Sequence, residues 1–231
     1  MANIYKFETR DERIERMAKD NPGRPIELCT AVVDGIWDKK QELINSRIPE
    51  RFSGASMEDL DLDLKNEILE ATQEILDDQT KNDKVGIVFY GPAGSGKTHA
   101  AYSLIKMLSE KNPESIAFTT TYSQAFMDLK NEFAHDGYQE MGSMWDKLNN
   151  ESGMYDGILL VDDVSSQKLT DFEVDKMMMF LEKRLNSFMP FILTTNVKPQ
   201  DFKAVFGERI ASRILGYCNL VEFIEKDMRV K

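Results

Sequence analysis

The sequence predicts an α/β fold in which a five-stranded parallel β-sheet is flanked by helices. The first observation is an alternation from residue 85 onward, where short apolar runs are followed by longer segments with apolar residues at helical spacing. This alternation is typical of parallel strands that are joined by crossover helices. The second observation is a glycine-rich stretch, residues 91–98, at the junction between the first apolar run and the helix after it.

The predicted sheet and its helices occupy residues 85–231. Five apolar runs of strand length give the expected strands: 85–90, 115–120, 157–162, 190–195 and 219–224. The amphipathic segments between them give the expected helices: 96–110, 122–134, 171–188 and 200–215. The third of these helices is preceded by Thr170, with Glu173 three residues later, which is the pattern of a capping box.

Residues 1–45 are expected to form a short helical appendage. A charged stretch at 9–20 is interrupted by "NPGRP", and apolar residues then recur at helical spacing over 26–45. The apolar face of this second helix includes Ile36 and Trp37, and the sequence leaves two explanations open for it. The face docks on a partner helix, or it packs against the stretch 9–20 and the core.

Residues 46–84 are expected to lead from the appendage into the sheet. The segment "SRIPERFSGASMEDLDLDL" predicts a mostly extended linker with an acidic end. Apolar residues at helical spacing then predict a helix over 64–79.

The composition excludes several classes of protein. The net charge of −11 argues against non-specific coating of nucleic acid, because such surfaces are usually basic. The two cysteines, Cys29 and Cys218, stand far apart with no CxxC pair, which excludes a zinc site of the usual spacing and a disulfide framework. The N-terminus lacks an apolar signal core, and the apolar runs are far shorter than a bilayer span. We therefore expect a soluble, cytoplasmic protein with no membrane partner.

A complete phosphate-binding loop follows the first predicted strand. The pattern G-x-x-x-x-G-K-[ST] is matched by Gly91, Pro92, Ala93, Gly94, Ser95, Gly96, Lys97 and Thr98. Gly94 and Gly96 allow backbone N–H groups to curl around phosphate oxygens, and the following helix adds its positive N-terminal end. Lys97 supplies a cation to the β- and γ-phosphates, and the Thr98 hydroxyl is a ligand for Mg²⁺. A buried strand before the loop and a helix after it make a chance glycine-rich turn a poor explanation.

Polar groups stand at the ends of two later strands. "GILLVDDV" runs from four apolar residues into Asp162 and Asp163. A carboxylate at the tip of a buried strand is unfavourable unless it faces a cation or hydrogen-bond donors, so we assign Asp162 to the Mg²⁺ shell and Asp163 to the attacking water. "FILTTN" ends in the polar residues Thr194, Thr195 and Asn196, and the Asn196 amide is suited to orienting that water. Taken alone, each strand end is also explained by solvated polar groups at a turn.

The three motifs occur in the order and spacing of the AAA+ ATPases, namely Walker A, Walker B and sensor 1. Within that class, residues 46–231 resemble the DnaC/IstB family of helicase loaders. The resemblance is carried by "IPERFSGASMEDLD" in the linker, "EKRLNSFMPFILTTN" before sensor 1, and "VFGERIASRILGYCNLVEFIEKDMR" in the tail. It implies an initiator/loader-type AAA+ fold with little or no helical lid, and ATP and Mg²⁺ as cofactors.

The resemblance also implies roles for arginines. Arg213 falls where the family places its arginine finger, which reaches the ATP of the adjacent subunit and makes hydrolysis conditional on assembly. Arg209, one helical turn earlier, and Arg184 are further candidates for the inter-subunit face. A solvated helix face is the alternative for each. An Asp-x-Arg that ends in Arg229 follows the last strand, and its role as a sensor 2 stays open.

One motif departs from the family. Asp-Glu is frequent at Walker B, whereas this chain has Asp162-Asp163. The second carboxylate is one methylene shorter, so we expect slow hydrolysis that is stimulated by assembly or DNA.

The resemblance also implies binding partners. Its N-terminal region grips a hexameric replicative DNA helicase, its ATPase core contacts single-stranded DNA, and its subunits self-associate through ATP-bridged interfaces. By resemblance, residues 1–45 would bind the helicase. The candidate DNA contacts at the helix after the second strand are Thr121, Tyr122, Ser123 and Lys130. A plain surface helix explains these four residues as well.

The favoured hypothesis is an ATP-dependent loader of a replicative helicase onto single-stranded DNA, in the cytoplasm of a bacterium or of a phage-infected host cell. The alternatives are an IstB-type transposition ATPase, which remodels DNA for a transposase, and a loader mimic that inhibits a helicase. The acidic balance favours the helicase partner, because a transposition ATPase must cover duplex DNA and should be more basic. A small-molecule kinase is disfavoured, because the tail arginines and the Thr-Thr-Asn strand serve no evident acceptor site.

Overall fold

The predicted five-stranded parallel sheet is confirmed. The computed structural model of the chain describes residues 10–76, 83–112, 115–134, 142–152, 155, 157–164 and 167–224. In sequence order the strands are β1 (Gly86–Tyr90), β2 (Ile116–Thr121), β3 (Ile158–Val164), β4 (Phe191–Thr195) and β5 (Cys218–Glu222). Every strand pairs in parallel with its neighbours, in the spatial order β2-β3-β4-β1-β5.

The strand order brings the three motifs to one edge of the sheet. Strand β4 lies between β1 and β3, with Tyr90 level with Thr195 and Val161 level with Leu193. Because the carboxyl ends of parallel strands meet at one edge, the residues that follow β1, β3 and β4 share a crevice. The sequence motifs alone did not give this order.

Helices cover both faces of the sheet, and the alternation along β3 divides the core between them. Leu159 and Val161 belong to one apolar cluster, whereas Ile158 and Leu160 belong to the other. The helices of this domain are α4 (Lys97–Lys111), α5 (Tyr122–Ala134), α6 (Met144–Asn149), α7 (Asp171–Asn186), α8 (Phe202–Phe206) and α9 (Glu208–Tyr217). The cluster that contains Leu159 includes side chains of α5 to α9, and the other includes those of α4.

The capping box at α7 is confirmed, and two helix expectations are corrected. The Thr170 backbone N–H donates to Glu173 Oε2 at 2.8 Å, and the Glu173 N–H donates to Thr170 Oγ1 at 3.4 Å. The helix expected over 200–215 is instead a 3₁₀ turn (Pro199–Asp201) followed by α8 and α9, because Gly207 has a φ of 87° that interrupts the helix. Helix α6 is an addition that the periodicity did not reveal.

The N-terminal helices are α1 (Arg10–Asp20) and α2 (Ile26–Arg47). Their contact buries a small apolar cluster of Ile14, Cys29 and Val33, against which Trp37 packs. Helix α2 also reaches the core, since Gln41 Nε2 donates to Ser109 Oγ at 3.0 Å. The structure therefore supports packing against α1 and the core for part of the apolar face. Ile36 and other apolar side chains of that face stay exposed, among them Leu28 and Leu43.

The linker is not mostly extended as expected. It contains two 3₁₀ turns, Glu50–Phe52 and Met57–Asp59, before α3 (Leu62–Leu76). The second turn is stabilised by a capping box in which the Ser56 N–H donates to Asp59 Oδ2 at 2.9 Å. The last residues of the helix expected over 64–79 lie outside the described part of the chain. Across the described ranges, no helix combines the length and the apolar character that a membrane crossing requires.

Candidate nucleotide-binding site

The phosphate-binding loop has the backbone conformation that its glycines predict. Gly94 and Gly96 have φ values of 82° and 96°, in the left-handed region that favours glycine. Gly91 is required for a different reason, because a Cβ at this position would lie 2.2 Å from the carbonyl oxygen of Phe223. The loop is thus held against the residue after β5, and its end opens into α4 at Lys97.

Lys97 is directed into the loop. Its Nζ donates hydrogen bonds to the carbonyl oxygens of Gly91 at 2.9 Å and Pro92 at 2.7 Å, and it lies 3.4 Å from Ser95 Oγ. The residue is only 7% exposed. A largely buried ammonium group beside the loop places positive charge where a polyphosphate would be cradled.

Asp162 lies at the centre of a hydrogen-bond network at the end of β3. Its Oδ1 accepts from Thr98 Oγ1 at 2.9 Å and from Thr194 Oγ1 at 2.6 Å. The residue is 3% exposed, and burial raises the pKa of its carboxyl group, while the two threonine hydrogen bonds oppose that rise. A cation beside the carboxylate would favour its charged form.

The donor set fits Mg²⁺. Thr98 and Asp162 present hard oxygen atoms, which Mg²⁺ prefers, and this ion usually keeps several waters and substrate phosphates in its shell. Two protein ligands are therefore enough. Consistent with this, the described part of the chain contains no cluster of three or more His, Cys, Asp or Glu residues that could enclose a metal.

Asp163 differs from Asp162 in exposure and in backbone conformation. It is exposed, and its φ of 58° is unusual for a residue with a side chain. Its backbone N–H donates to Thr194 Oγ1 at 2.8 Å. Thr194 therefore bridges the two aspartates: its hydroxyl donates to one side chain and accepts from the backbone of the other. Sequence reasoning placed Thr194 at the strand end but missed this bridging position.

A cavity of about 900 Å³ joins these groups. Its lining includes the loop, Asp162, Asp163, Thr194 and Asn196, so the structure brings the three motifs together. The linker supplies a wall that motif analysis did not assign: Arg51, Phe52 and Asp59. His99, the residue after Thr98, also lines the cavity, and its Nε2 lies 3.0 Å from Asp59 Oδ2. Arg51 and Phe52 belong to the stretch "IPERF". This stretch lies in a segment that the sequence predicted to be a linker, so neither residue was expected at the site.

The model of the family described as IstB-like ATP binding protein matches residues 53–231. The chain belongs to this family. The match includes the phosphate-binding loop and the two strand ends that line the cavity, and it begins after Arg51 and Phe52.

Solved structures share the fold of this IstB-like chain. The DnaC helicase loader aligns with a TM-score of 0.61 and 20% identity, over 76% of this chain and 99% of that one. DnaI aligns with a TM-score of 0.58 and 21% identity, over 75% of this chain and 93% of that one. The replication initiator DnaA, bound to AMPPCP and single-stranded DNA, aligns with a TM-score of 0.58 and 16% identity, over 78% of this chain and 51% of that one. At these identities the likeness shows a common AAA+ fold.

Two arginines of the IstB-like chain lie on α9, away from its own cavity. Arg213 Nη2 lies 3.4 Å from Glu182 Oε1, and Arg209 Nη2 lies 3.8 Å from the same oxygen. Their side chains are 38% and 74% exposed. Neither residue lines the cavity within the described part of the chain. Arg229, the third tail arginine, lies outside the described residues.

The expectation that Arg184 faces a neighbouring subunit is wrong. Arg184 is fully buried, and its guanidinium donates to the carbonyl oxygens of Leu148 at 3.0 Å, Gly157 at 3.3 Å and Pro190 at 3.2 Å. The buried side chain extends from α7 into the core, where it supplies donors to buried carbonyls near the ends of three elements. Sequence periodicity cannot separate such an anchor from a surface arginine.

One of the candidate DNA contacts is also wrong. Tyr122 is only 4% exposed and its ring packs against Phe126 at 4.3 Å between centroids, so it is not placed to stack on a base. Burial raises the pKa of its hydroxyl. Thr121, Ser123 and Lys130 are exposed. A second cavity of about 500 Å³ includes Ser123 and Lys130 and shares Asp163 and Asn196 with the nucleotide cavity.

Proposed function

We propose that this IstB-like chain is an ATP-dependent loader of a hexameric replicative DNA helicase onto single-stranded DNA, acting in the cytoplasm of a bacterium or of a phage-infected host cell. The observation that carries the proposal is the joint cavity of the phosphate-binding loop, Asp162, Asp163 and Asn196, in a fold that spans 99% of the DnaC loader chain. In this function ATP acts as a switch, so a slow ATPase is sufficient.

The residues around the cavity have distinct roles in the proposed reaction. The backbone of residues 91–98 and Lys97 bind the phosphates, and Thr98 and Asp162 hold Mg²⁺. When bound, the metal neutralises charge on the β- and γ-phosphates. Asp163, exposed at the cavity wall, polarises the attacking water, and the Asn196 amide orients it. Thr194 fixes the two aspartates relative to each other.

Assembly completes the site. Arg213 is absent from the described lining of the cavity of its own chain, so an arginine finger on α9 would reach a γ-phosphate only in the cavity of a second copy. We assign that role to Arg213, with Arg209 as a further contact on the same face. Hydrolysis then depends on self-association, which links ATP turnover to the loading state.

Partner contacts are assigned to two surfaces. Residues 1–45 would bind the helicase, and the exposed apolar side chains of α2 supply a face for it: Leu28, Ile36 and Leu43. Single-stranded DNA would contact Thr121, Ser123 and Lys130 at α5, beside the cavity that adjoins the nucleotide.

Co-purification with a replicative helicase tests this proposal directly. The chain, the Lys97→Ala variant and a truncated chain that starts at residue 46 are each mixed with the helicase, with and without ATP. We expect the full chain to bind the helicase and to place it on single-stranded DNA with ATP, the truncated chain to lose helicase binding, and Lys97→Ala to lose loading. A full chain that binds no helicase in either nucleotide state would end the loader proposal.

The family match supports a second candidate, a transposition ATPase of the IstB type. Such a protein would bind duplex DNA in the presence of ATP and would bind a transposase rather than a helicase. The net charge of −11 favours the loader. Strong ATP-dependent binding to duplex DNA, together with no binding to a helicase, would reverse this preference.

A further inference from the structure

Arg51 is a cation on the wall of the nucleotide cavity that no motif assigns. It stands in the first 3₁₀ turn of the linker and lines the cavity together with Lys97, Thr98 and Asp162. The family match begins two residues later, at residue 53.

A stack of side chains holds Arg51 in place. Its guanidinium carbon lies 4.7 Å from the centre of the Phe52 ring. The Phe52 ring in turn stacks on Tyr102, with 5.1 Å between the centroids and 20° between the planes. Tyr102 is 2% exposed and lies one helical turn after Thr98 on α4. Phe52 therefore joins the linker to the helix that begins in the phosphate-binding loop, and the exposed Arg51 lies on this stack at the cavity wall.

Within the described residues, no acidic side chain forms an ion pair with Arg51. Arginine is well suited to phosphate, because its planar fork of donors matches two phosphate oxygens.

The location points to one end of the nucleotide. Arg51 lines the same cavity as Asp163 and Asn196, the residues assigned to the attacking water, and as Thr98 and Asp162, which would hold Mg²⁺. These residues belong to the γ-phosphate side of the cavity. We propose that Arg51 contacts the terminal phosphate of ATP bound to its own chain, so that the linker distinguishes ATP from ADP.

The linker is connected at both ends to helices that would be affected by a contact between Arg51 and the γ-phosphate. Helix α2 ends at Arg47, only four residues before Arg51. Beyond Arg51, Lys106 Nζ of α4 donates to the Ala55 carbonyl at 3.0 Å, and Asp59 contacts His99. A contact between Arg51 and the γ-phosphate would therefore order residues 48–60 and change the end of α2. The consequence for partner binding rests on the proposed function, in which residues 1–45 bind the helicase.

Nucleotide binding by the isolated chain tests the inference. Affinities for ATPγS and ADP with Mg²⁺ are measured by calorimetry in an Arg213→Ala background, so that no finger from a neighbour contributes. We expect Arg51→Ala to weaken ATPγS binding by about 10- to 100-fold and ADP binding by no more than about twofold. Arg51→Lys keeps the charge but lacks the planar guanidinium, so its affinity for ATPγS should lie between that of Arg51→Ala and that of the chain with Arg51 intact. The matched control is Arg47→Ala, since Arg47 lies 4.6 Å from the centre of the Phe118 ring and does not line the cavity.

Hydrogen exchange of residues 48–60 supplies a second measurement. ATPγS should slow exchange there more than ADP does in the parent and in Arg47→Ala, and this difference should vanish in Arg51→Ala. Equal losses of ATPγS and ADP affinity, or an unchanged ATPγS affinity, would overturn the inference, and so would a persistent difference in exchange. Because the chain is measured alone, a failure to bind helicase would end the loader proposal and leave this result unaffected.

Discussion

At the scale of single residues, the site depends on a threonine that no motif emphasises. Thr194 donates to Asp162 and accepts from the backbone of Asp163, so one hydroxyl fixes both carboxylates of the pair. The arrangement explains how Asp163 is held at a φ of 58° beside a buried neighbour. The relative positions of Asp162 and Asp163 therefore depend on β4, which carries Thr194, as well as on β3.

Replacing Thr194 with valine should impair catalysis more than nucleotide binding. Thr194→Val keeps the side-chain shape but removes the hydroxyl, and loss of such a supporting contact typically lowers activity by about 10- to 100-fold. Steady-state ATPase measurements should show a lower kcat with a much smaller change in nucleotide affinity. Thr194→Ser restores the hydroxyl and should recover most of the rate. Equal rates in the valine and serine variants would contradict the positioning role.

Neutralising Asp162 should stabilise the fold while it removes function. Burial raises the pKa of this carboxyl group, so the charged form is unfavourable in the folded chain at neutral pH. The folded state binds the proton more readily than the unfolded state, so this cost decreases as the pH falls through the raised pKa. Without nucleotide or Mg²⁺, Asp162→Asn should therefore have the higher melting temperature at pH 7, and the difference should shrink toward pH 4. A difference that grows on acidification would contradict this explanation.

At the scale of elements, Arg184 connects three parts of the chain that are distant in sequence. From the last turns of α7 it donates to the carbonyl of Leu148 in α6, to Gly157 before β3 and to Pro190 before β4. Each of these carbonyls lies near an end of an element, where fewer backbone donors are available, although the Pro190 carbonyl also accepts from the Leu159 N–H at 3.1 Å. The arginine thus fixes the edge of the sheet opposite the nucleotide cavity.

Replacing Arg184 should destabilise the fold without affecting the interface between subunits. Arg184→Met should lower the free energy of unfolding by roughly 3 kcal/mol or more, because several buried carbonyls lose their donor. Urea denaturation measures this loss. The control is Arg209→Ala, whose side chain is 74% exposed and which should change stability by no more than about 0.5 kcal/mol. Similar stabilities for the two variants would contradict the role of Arg184 as a buried donor to these carbonyls.

The elements also show where sequence reasoning succeeds and where it stops. Apolar periodicity located the five strands and the main helices, since burial on a sheet or helix face dictates the residue types. It failed at residues 200–215, where the single Gly207 with φ of 87° redirects the chain. It also missed the 3₁₀ turns of the linker, and the first of them, Glu50–Phe52, is joined to the rest of the fold by the contact between Phe52 and Tyr102. Contacts between distant segments carry no local signal.

At the scale of the whole molecule, we propose that the nucleotide site is divided between two chains. The loop, the aspartate pair and Asn196 share one cavity, whereas Arg213 lies on α9 beside Glu182. On this proposal a single subunit binds ATP but lacks the finger from α9. Arg213 of one copy would complete the cavity of another.

Mixing two inactive variants tests that claim most directly. Lys97→Ala keeps the finger but should bind no ATP, and Arg213→Ala keeps the loop but offers no finger, so each alone should show little ATPase activity. In an equal mixture, Arg213→Ala subunits next to Lys97→Ala subunits regain complete sites, and activity should return to about a quarter of that of the unaltered chain. A mixture that forms assemblies yet stays as inactive as its components would contradict the claim.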